Sequence, residues 1–379
     1  MTVLFDWLQF LFFGLFLIFV GINAGYLAYV VLNSKKPWKL NIDKNYQPRV
    51  SILIPVHNEE RIIESKLANI KSVLYPKHMM EIIIADDASK DKTLIKVKNF
   101  AEANPELNIG IIKQLTHEGK SAALNKALFT TQNEIIIVTD ADTTWSPDML
   151  QKSLLYLSDS SIGAITCRGV NTKNHQSWVT KAEDTYLNYA NLIRLGESKV
   201  HSTIRFEGGF CAYKKVAFRE FDRLTGADDS GTALEVIQNN YRAILVPEVV
   251  FYTSFPTHLT GKLNIKARRA TQLLGLWVKC LGLLFEKRLI LPKKVAIPEI
   301  LLFIFIPWIF LALVLTTVTI IVLFPLSFIS LALLILICGL ICLSHSLFFE
   351  IVIDNFILCY ALINFLRGKQ YVAWANTGD

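Results

Sequence analysis

The chain has 379 residues, 52% of them hydrophobic and only 19% charged, with a formal net charge of +7. Soluble globular chains carry roughly a quarter charged residues, so the excess of apolar residues needs a location, and disorder is excluded because this much apolar surface buries itself. Cys167, Cys211, Cys280, Cys338, Cys342 and Cys359 show no zinc-ligand spacing and do not make a small disulfide scaffold.

The excess is concentrated in blocks. Residues 7–34 hold no charge and, at about 1.5 Å per residue, are long enough to cross a ~30 Å hydrocarbon core as a helix. The block lacks the basic start and small-residue cleavage site of a signal peptide, so it reads as an uncleaved anchor over 1–34. Lys35, Lys36 and Lys39 follow it. Residues 300–349 are also free of Asp, Glu, Lys and Arg and make two spans, with Pro325 as turn or kink. A third apolar block, 347–366, contains Glu350, Asp354 and Asn355 and is either another span or a helix in the interface. The stretch 262–294 carries nine Lys or Arg against one acid, Glu286. Basic flanks on both sides make the middle of the chain cytoplasmic. They also argue against a nucleic-acid partner, since the charge clusters beside the spans. Within 262–296, residues 270–285 read as an amphipathic helix, either along the headgroups or as an ordinary core helix.

The middle of the chain, 35–261, alternates short apolar runs with helical stretches. The runs 49–56, 81–88, 108–114 and 134–142 are rich in Ile and Val and predict buried strands of a mostly parallel sheet in an α/β domain. Ligands bind at the carboxyl ends of such strands. The first run ends in Pro55, Val56, His57, Asn58 and Glu59, the second in Asp86 and Asp87, the fourth in Asp140, Ala141 and Asp142. Helix capping accounts for one such residue per strand end, but not for Asp86–Asp87 together with Asp140 and Asp142. Two carboxylates two residues apart can share Mg²⁺ or Mn²⁺ with a diphosphate. No Walker A and no post-strand G-x-G-x-x-G motif is present.

The segments "VSILIPVHNEE", "IIIADDASKDKT", "HEGKSAALNKAL", "IIIVTDADTTWSPDML" and "ADDSGTALEVIQNNYRAILVPE", in this order, resemble a membrane-bound family 2 glycosyltransferase of the inverting GT-A type, akin to cellulose and hyaluronan synthases and ceramide glucosyltransferases. The resemblance covers about residues 48–270. It implies that Asp87 hydrogen-bonds the nucleotide base, that Pro55, Val56 and His57 line that pocket, and that Glu59 helps hold the nucleoside. Lys120 would balance diphosphate charge, Asp140 and Asp142 would bind nucleotide and metal, and Asp229 would be the general base, with Asp228 on the family's neighbouring glutamate. "FEGGFCAYKK" matches the segment bordering the acceptor, which implicates Gly208, Gly209 and Phe210; a turn before a strand is the plainer reading.

The chain departs from processive members of the family at their Gln-x-x-Arg-Trp motif. The matching stretch is "NIKARRATQLLG", where Lys266 and Arg269, or Ile265 and Arg268, fill the Gln and Arg positions and no Trp follows. Arg268 and Arg269 are candidates for diphosphate contact. The expectation is therefore an enzyme with a divalent cation (Mg²⁺ or Mn²⁺) that transfers one sugar from a nucleotide sugar, uridine being the implied base, to a lipid or lipid-linked acceptor. The domains expected are an anchor (1–34), a catalytic domain (35–261), a basic interface segment (262–296) and C-terminal spans with a short tail (297–379). A processive synthase and a non-catalytic nucleotide-sugar-binding subunit are the alternatives.

Overall fold

The structure is a computed structural model that describes residues 2–172, 178–255, 258–342 and 347–368; the expected tail at 369–379 lies outside them. In chain order the elements are α1 (Thr2–Ser34), β1 (Val50–Val56), α2 (Ile63–Ser72), β2 (Met80–Asp86), α3 (Thr93–Ala103), β3 (Asn108–Lys113), α4 (Lys120–Leu128), β4 (Ile135–Val138), β5 (Thr144–Trp145), α5 (Met149–Ser153), β6 (Ile162–Asn171), α6 (Trp178–Val200), β7 (Cys211–Lys214), α7 (Asp228–Gln238), β8 (Arg242–Thr253), α8 (Leu259–Phe285), α9 (Lys293–Ile300), α10 (Ile306–Leu323), α11 (Phe328–Cys342) and α12 (Leu347–Leu366).

The strands form one sheet in the order β3-β2-β1-β4-β7-β6-β8-β5. The half from β3 to β4 is parallel, and β7 enters antiparallel to both β4 and β6. The four expected strands lie in the parallel half. The continuous apolar runs of β1, β2 and β4 follow from burial on both faces, whereas β3, at the edge of the sheet, is exposed or half-buried along its length. Because side chains alternate along a strand, Ile52 and Ile54 enter one core with Ile82, Ile84 and Ile137. Leu53 enters the other with Ile83, Ile136 and Val138, packed against Leu124 of α4 and Trp277 of α8.

Register decides where the loops emerge. Val56 pairs with Asp86 and Leu53 with Val138, so the chain leaves β1, β2 and β4 at one edge of the sheet. Cys211 pairs with Val138 in the antiparallel direction, which returns residues 208–210 to the same edge.

Among the described residues two helices are long and apolar enough to cross a membrane, Val3–Ser34 and Lys293–Leu323, and Phe328–Gly339 is a shorter apolar helix. Trp7, Phe10, Leu17, Trp308 and Phe328 are exposed on them. The turn expected at Pro325 falls between α10 and α11, where the Ser330 N–H donates to Ser327 Oγ at 3.1 Å. The amphipathic stretch expected at 270–285 is the second half of the longer helix α8. Its apolar side, with Leu274, Leu276, Trp277 and Cys280, is buried inside the protein.

The third apolar block forms α12, and its polar residues face α8. Lys262 Nζ meets Glu350 at 2.9 Å; Lys266 Nζ meets Glu350 at 2.7 Å and Asp354 at 2.8 Å; Glu183 of α6 completes the cluster at 3.4 Å from Lys262. Lys262 and Glu350 are buried, and breaking a buried pair strands the surviving charge at a cost of about 3–5 kcal/mol. Glu350→Ala is therefore expected to lower the detergent-solubilised protein's stability by roughly that amount, and an unchanged thermal midpoint would show that the cluster does not tie α8 to α12.

Candidate active site

The loop after β4 carries Asp140 and Asp142. The Asp140 N–H donates to the Gly208 carbonyl at 2.8 Å, and a Cβ on Gly208 would collide with the Asp140 carboxylate. Glycine is required there so that the returning chain can approach Asp140. Gly209 is constrained from the other side: a Cβ would strike the Phe251 ring, and its carbonyl accepts from Trp145 Nε1 at 2.8 Å.

Lys120 opens α4 directly after Gly119, whose φ of 95° lies in the region that favours glycine. Its Nζ lies 2.9 Å from Asp140 Oδ1, 3.0 Å from Asp228 Oδ2 and 3.8 Å from Asp229 Oδ1. Asp228 and Asp229 occupy the first turn of α7, where the helix dipole favours negative charge. One ammonium thus joins three carboxylates from two elements.

Burial opposes the Lys120 charge, but Asp140, Asp228 and Asp229 prevail and hold its pKa well above the usual lysine value. Asp140 is likewise opposed by burial and kept below the usual carboxylate value by Lys120. The other acids move upward. Burial and then Asp228 push Asp229 well up; burial and then Asp140 push Asp142 up; burial, then Asp142, Asp140 and Asp91, bring Glu59 to about 7. Buried Asp140 Oδ1 and Asp228 Oδ2 lie against Lys120 but accept no well-directed hydrogen bond. Carboxylates that raise one another's proton affinity offer the oxygen ligands that a hard divalent cation prefers, and Asp140 and Asp142 are the pair that would hold it.

These groups line a cavity of about 980 Å³. Asn58, Glu59, Arg61 and Asp91 line one part of its wall; Tyr186, Arg194 and Arg205 line another, and Arg223, Arg268, Arg269 and Gln272 contribute as well. Of the residues expected from the sequence, Glu59, Lys120, Asp140, Asp142, Gly208, Asp228, Asp229, Arg268 and Arg269 are brought together here. Lys266 is not; it faces α12, so of the two basic candidates for the Arg position both line the cavity while the Lys belongs to the helix contact.

Six expected residues do not line the cavity. Pro55 and Val56 are buried within β1. Phe210 is fully buried, its ring 5.2 Å from that of Trp145, and Gly209 packs on Phe251. Asp87 is fully buried and its oxygens are engaged, by the N–H groups of Glu118 and Gly119 at 2.8 Å each and by His117 Nδ1 at 2.8 Å. It fixes the entry to α4, and so the position of Lys120, rather than presenting an open acceptor for a base. His57 Nδ1 contacts the Asp87 carbonyl at 2.7 Å, and its ring lies 4.2 Å from that of His117. Ligand atoms of His57, Asp87 and His117 fall within 4.8 Å of one another, a grouping of three metal-capable side chains that, among the described residues, Asp140 and Asp142 do not make.

The sequence reading did not single out Arg61, Tyr186, Arg194, Arg205, Glu207 or Arg223. Tyr186, Ala190 and Arg194 follow at four-residue intervals and present one face of α6 to the cavity; that periodicity was the available signal. Arg194 is 1% exposed and pairs with Glu207 at 3.0 Å.

The raised Glu59 carboxyl gives a pH test. A carboxylate whose folded pKa lies above its unfolded value contributes stability below the unfolded pKa that is lost as pH rises through the folded one. Glu59→Gln is therefore expected to melt at a higher temperature relative to wild type above pH 7 than near pH 4.5. A difference that is the same at both pH values would contradict the shift.

The glycosyl transferase family 2 pattern matches residues 51–221. The probable glycosyltransferase YdaM of Bacillus subtilis is 34% identical over 148 residues, 38% of this chain and 34% of that protein. A beta-monoglucosyldiacylglycerol synthase of Trichormus variabilis is 34% identical over 136 residues, 36% of this chain and 29% of that protein. The chain thus spans about a third of the length of these curated relatives. The structure of the mannosyltransferase PcManGT from Pyrobaculum calidifontis, in complex with GDP-Man and Mn²⁺, is 28% identical, covers 96% of this chain and 100% of its own, and superposes with a TM-score of 0.83. With the sheet order and these likenesses together, the chain has a GT-A glycosyltransferase fold, and its residues 51–221 match the glycosyl transferase family 2 pattern.

Proposed function

We propose that the chain is an inverting, metal-dependent glycosyltransferase that moves one sugar from a nucleotide sugar to a lipid or lipid-linked acceptor at the cytoplasmic face of a membrane. The observation that carries this reading is the convergence of Asp140, Asp228 and Asp229 on Lys120, with Asp142 lining the same cavity. A divalent cation held by Asp140 and Asp142 would neutralise charge on the departing nucleoside diphosphate. Lys120, Arg268 and Arg269 add positive charge along the same wall.

Asp229 is the acceptor's base. Burial and Asp228 raise its affinity for a proton, which suits a group that must take one from a hydroxyl near neutral pH. One base opposite the leaving group gives a single displacement with inversion, and no second carboxylate serves as nucleophile, unlike a retaining glycosidase. The side of the cavity bounded by α6, with Tyr186 and Arg194, receives the acceptor, and the Asn58–Arg61 side receives the nucleoside.

Membrane attachment is supported by the two long apolar helices, their exposed aromatic residues and their basic flanks. A lipid acceptor is supported by the likeness to a glucosyldiacylglycerol synthase. The donor base is uridine by the sequence resemblance and guanosine by the likeness to a mannosyltransferase bound to GDP-Man; a panel of UDP- and GDP-sugars separates the two. Single transfer, rather than processive synthesis, is supported by the lack of a tryptophan after Arg268 and Arg269.

In membranes supplied with labelled donor and native lipid extract, one sugar is expected on a lipid product, and EDTA is expected to abolish transfer. Asp229→Asn is expected to reduce the rate by about 10²–10⁴-fold. Undiminished transfer by that variant overturns the base assignment, and a ladder of chain lengths overturns single transfer.

A further inference from the structure

Lys66 is a lysine with no contact to the cavity and almost no contact with solvent. It sits on α2 at 1% exposure, directly behind the loop that carries Asp140 and Asp142. Its Nζ lies 2.6 Å from Thr139 Oγ1, 2.8 Å from the Thr143 carbonyl and 3.1 Å from Thr143 Oγ1. An ammonium has three donors and no acceptor, and here three oxygens receive them. Thr139 precedes Asp140 and Thr143 follows Asp142, so one cation closes both ends of the loop.

The direction of the surrounding hydrogen bonds follows from this. Because Lys66 only donates, both threonine hydroxyls accept from it and direct their own protons onward. Thr139 Oγ1 donates to the Gly209 carbonyl at 2.9 Å, and Thr143 Oγ1 donates to the Asp140 carbonyl at 3.0 Å. Trp145, whose ring lies 5.0 Å from Nζ, donates its Nε1 proton to the same Gly209 carbonyl at 2.8 Å. Three residues along α2, Asn69 holds the backbone of Trp145 from both sides, donating to its carbonyl at 3.0 Å and accepting from its N–H at 2.8 Å. The Lys66–Asn69 face of α2 therefore grips residues 139–145 and, through Gly209, the segment beside Gly208. Hydrogen bonds alone do not require a buried charge here, and burial pushes the Lys66 ammonium down to about 7 against the pull of Asp140 and Asp142.

We propose that Lys66 is the positioning residue that holds Asp140 and Asp142 in place as a cation-binding pair. This rests on the reading of those two aspartates as cation ligands. Groups that orient metal ligands from behind typically change metal affinity by about 10–100-fold when removed.

The test uses full-length protein in detergent, with Mn²⁺ and nucleoside diphosphate as probes. Lys66→Met fills the space without donors. Calorimetric titration is expected to show Mn²⁺ binding weakened by about 10-fold or more, and hydrogen exchange is expected to rise over 139–145. Turnover of the variant is expected to recover at saturating Mn²⁺, which a general folding defect would not allow. Mn²⁺ binding by Lys66→Met as tight as, or tighter than, wild type overturns the proposal. If Lys66→Met does not fold, Thr143→Val removes the hydroxyl that passes the hold on to Asp140, and it is expected to weaken Mn²⁺ binding in the same direction; unchanged binding overturns the proposal. Asp142→Asn separates the premise from the inference: if wild type and Asp142→Asn bind Mn²⁺ alike, the ligand reading fails and takes this proposal with it, whereas loss in Asp142→Asn with full retention in Lys66→Met sinks the role of Lys66 alone.

Discussion

The arrangement depends on one electrostatic problem: five carboxylates crowd one edge of the sheet, and together with burial they raise one another's affinity for a proton. Asp140, Asp142, Asp228, Asp229 and Glu59 face a common cavity. Lys120 is the only side chain among the described residues that the structure ties to three of them at once. It resolves part of the conflict, holding Asp140 ionised. Asp142, Glu59 and Asp229 retain raised proton affinities. An incompletely balanced site of this kind has a use for cations and for a base, and glycosyl transfer from a nucleotide sugar needs both.

The rest of the domain can be understood as what holds that edge together. Asp87 spends both oxygens on the entry to α4 and so aims Lys120. The parallel register of β1, β2 and β4 brings three loops to the same height, and the antiparallel return into β7 sets Gly208 against Asp140. Helix α8 brings Arg268 and Arg269 to the cavity from one side while Lys262 and Lys266 bind the carboxylates of α12 on another. Helix α12 and the carboxylate-bearing edge therefore share a single element, α8.

Much of this was legible in the residues. Continuous Ile and Val runs announced β1, β2 and β4 and the edge where Asp140 and Asp142 stand, because double-sided burial leaves no room for alternation; β3, expected as a strand of the same kind, is the half-exposed edge. The helical stretches between those runs were legible for the same reason. The mixed half of the sheet was not, since β5 has two residues and β7 has four, too short for a periodic signal. Phe210 looked like part of an acceptor wall because a sequence does not say which side of a turn faces inward; its ring packs on Trp145 instead. The family resemblance put Asp87 at the nucleotide base, while its hold on Glu118 and Gly119 was not legible because these partners lie about thirty residues away and act through backbone N–H groups. Lys66 carried no signal at all: one lysine in an amphipathic helix reads as solvent-facing until Thr139 and Thr143 are seen beneath it.

The proposed cation lies at the end of β4, between Asp140 and Asp142. His57, Asp87 and His117 offer a competing cluster of ligand atoms at the end of β2. Anomalous scattering from Mn²⁺ in crystals grown with a nucleoside diphosphate distinguishes them most directly. A manganese peak bounded by Asp140 and Asp142 is the predicted result, and a peak at His57, Asp87 and His117 with none at Asp142 would contradict it.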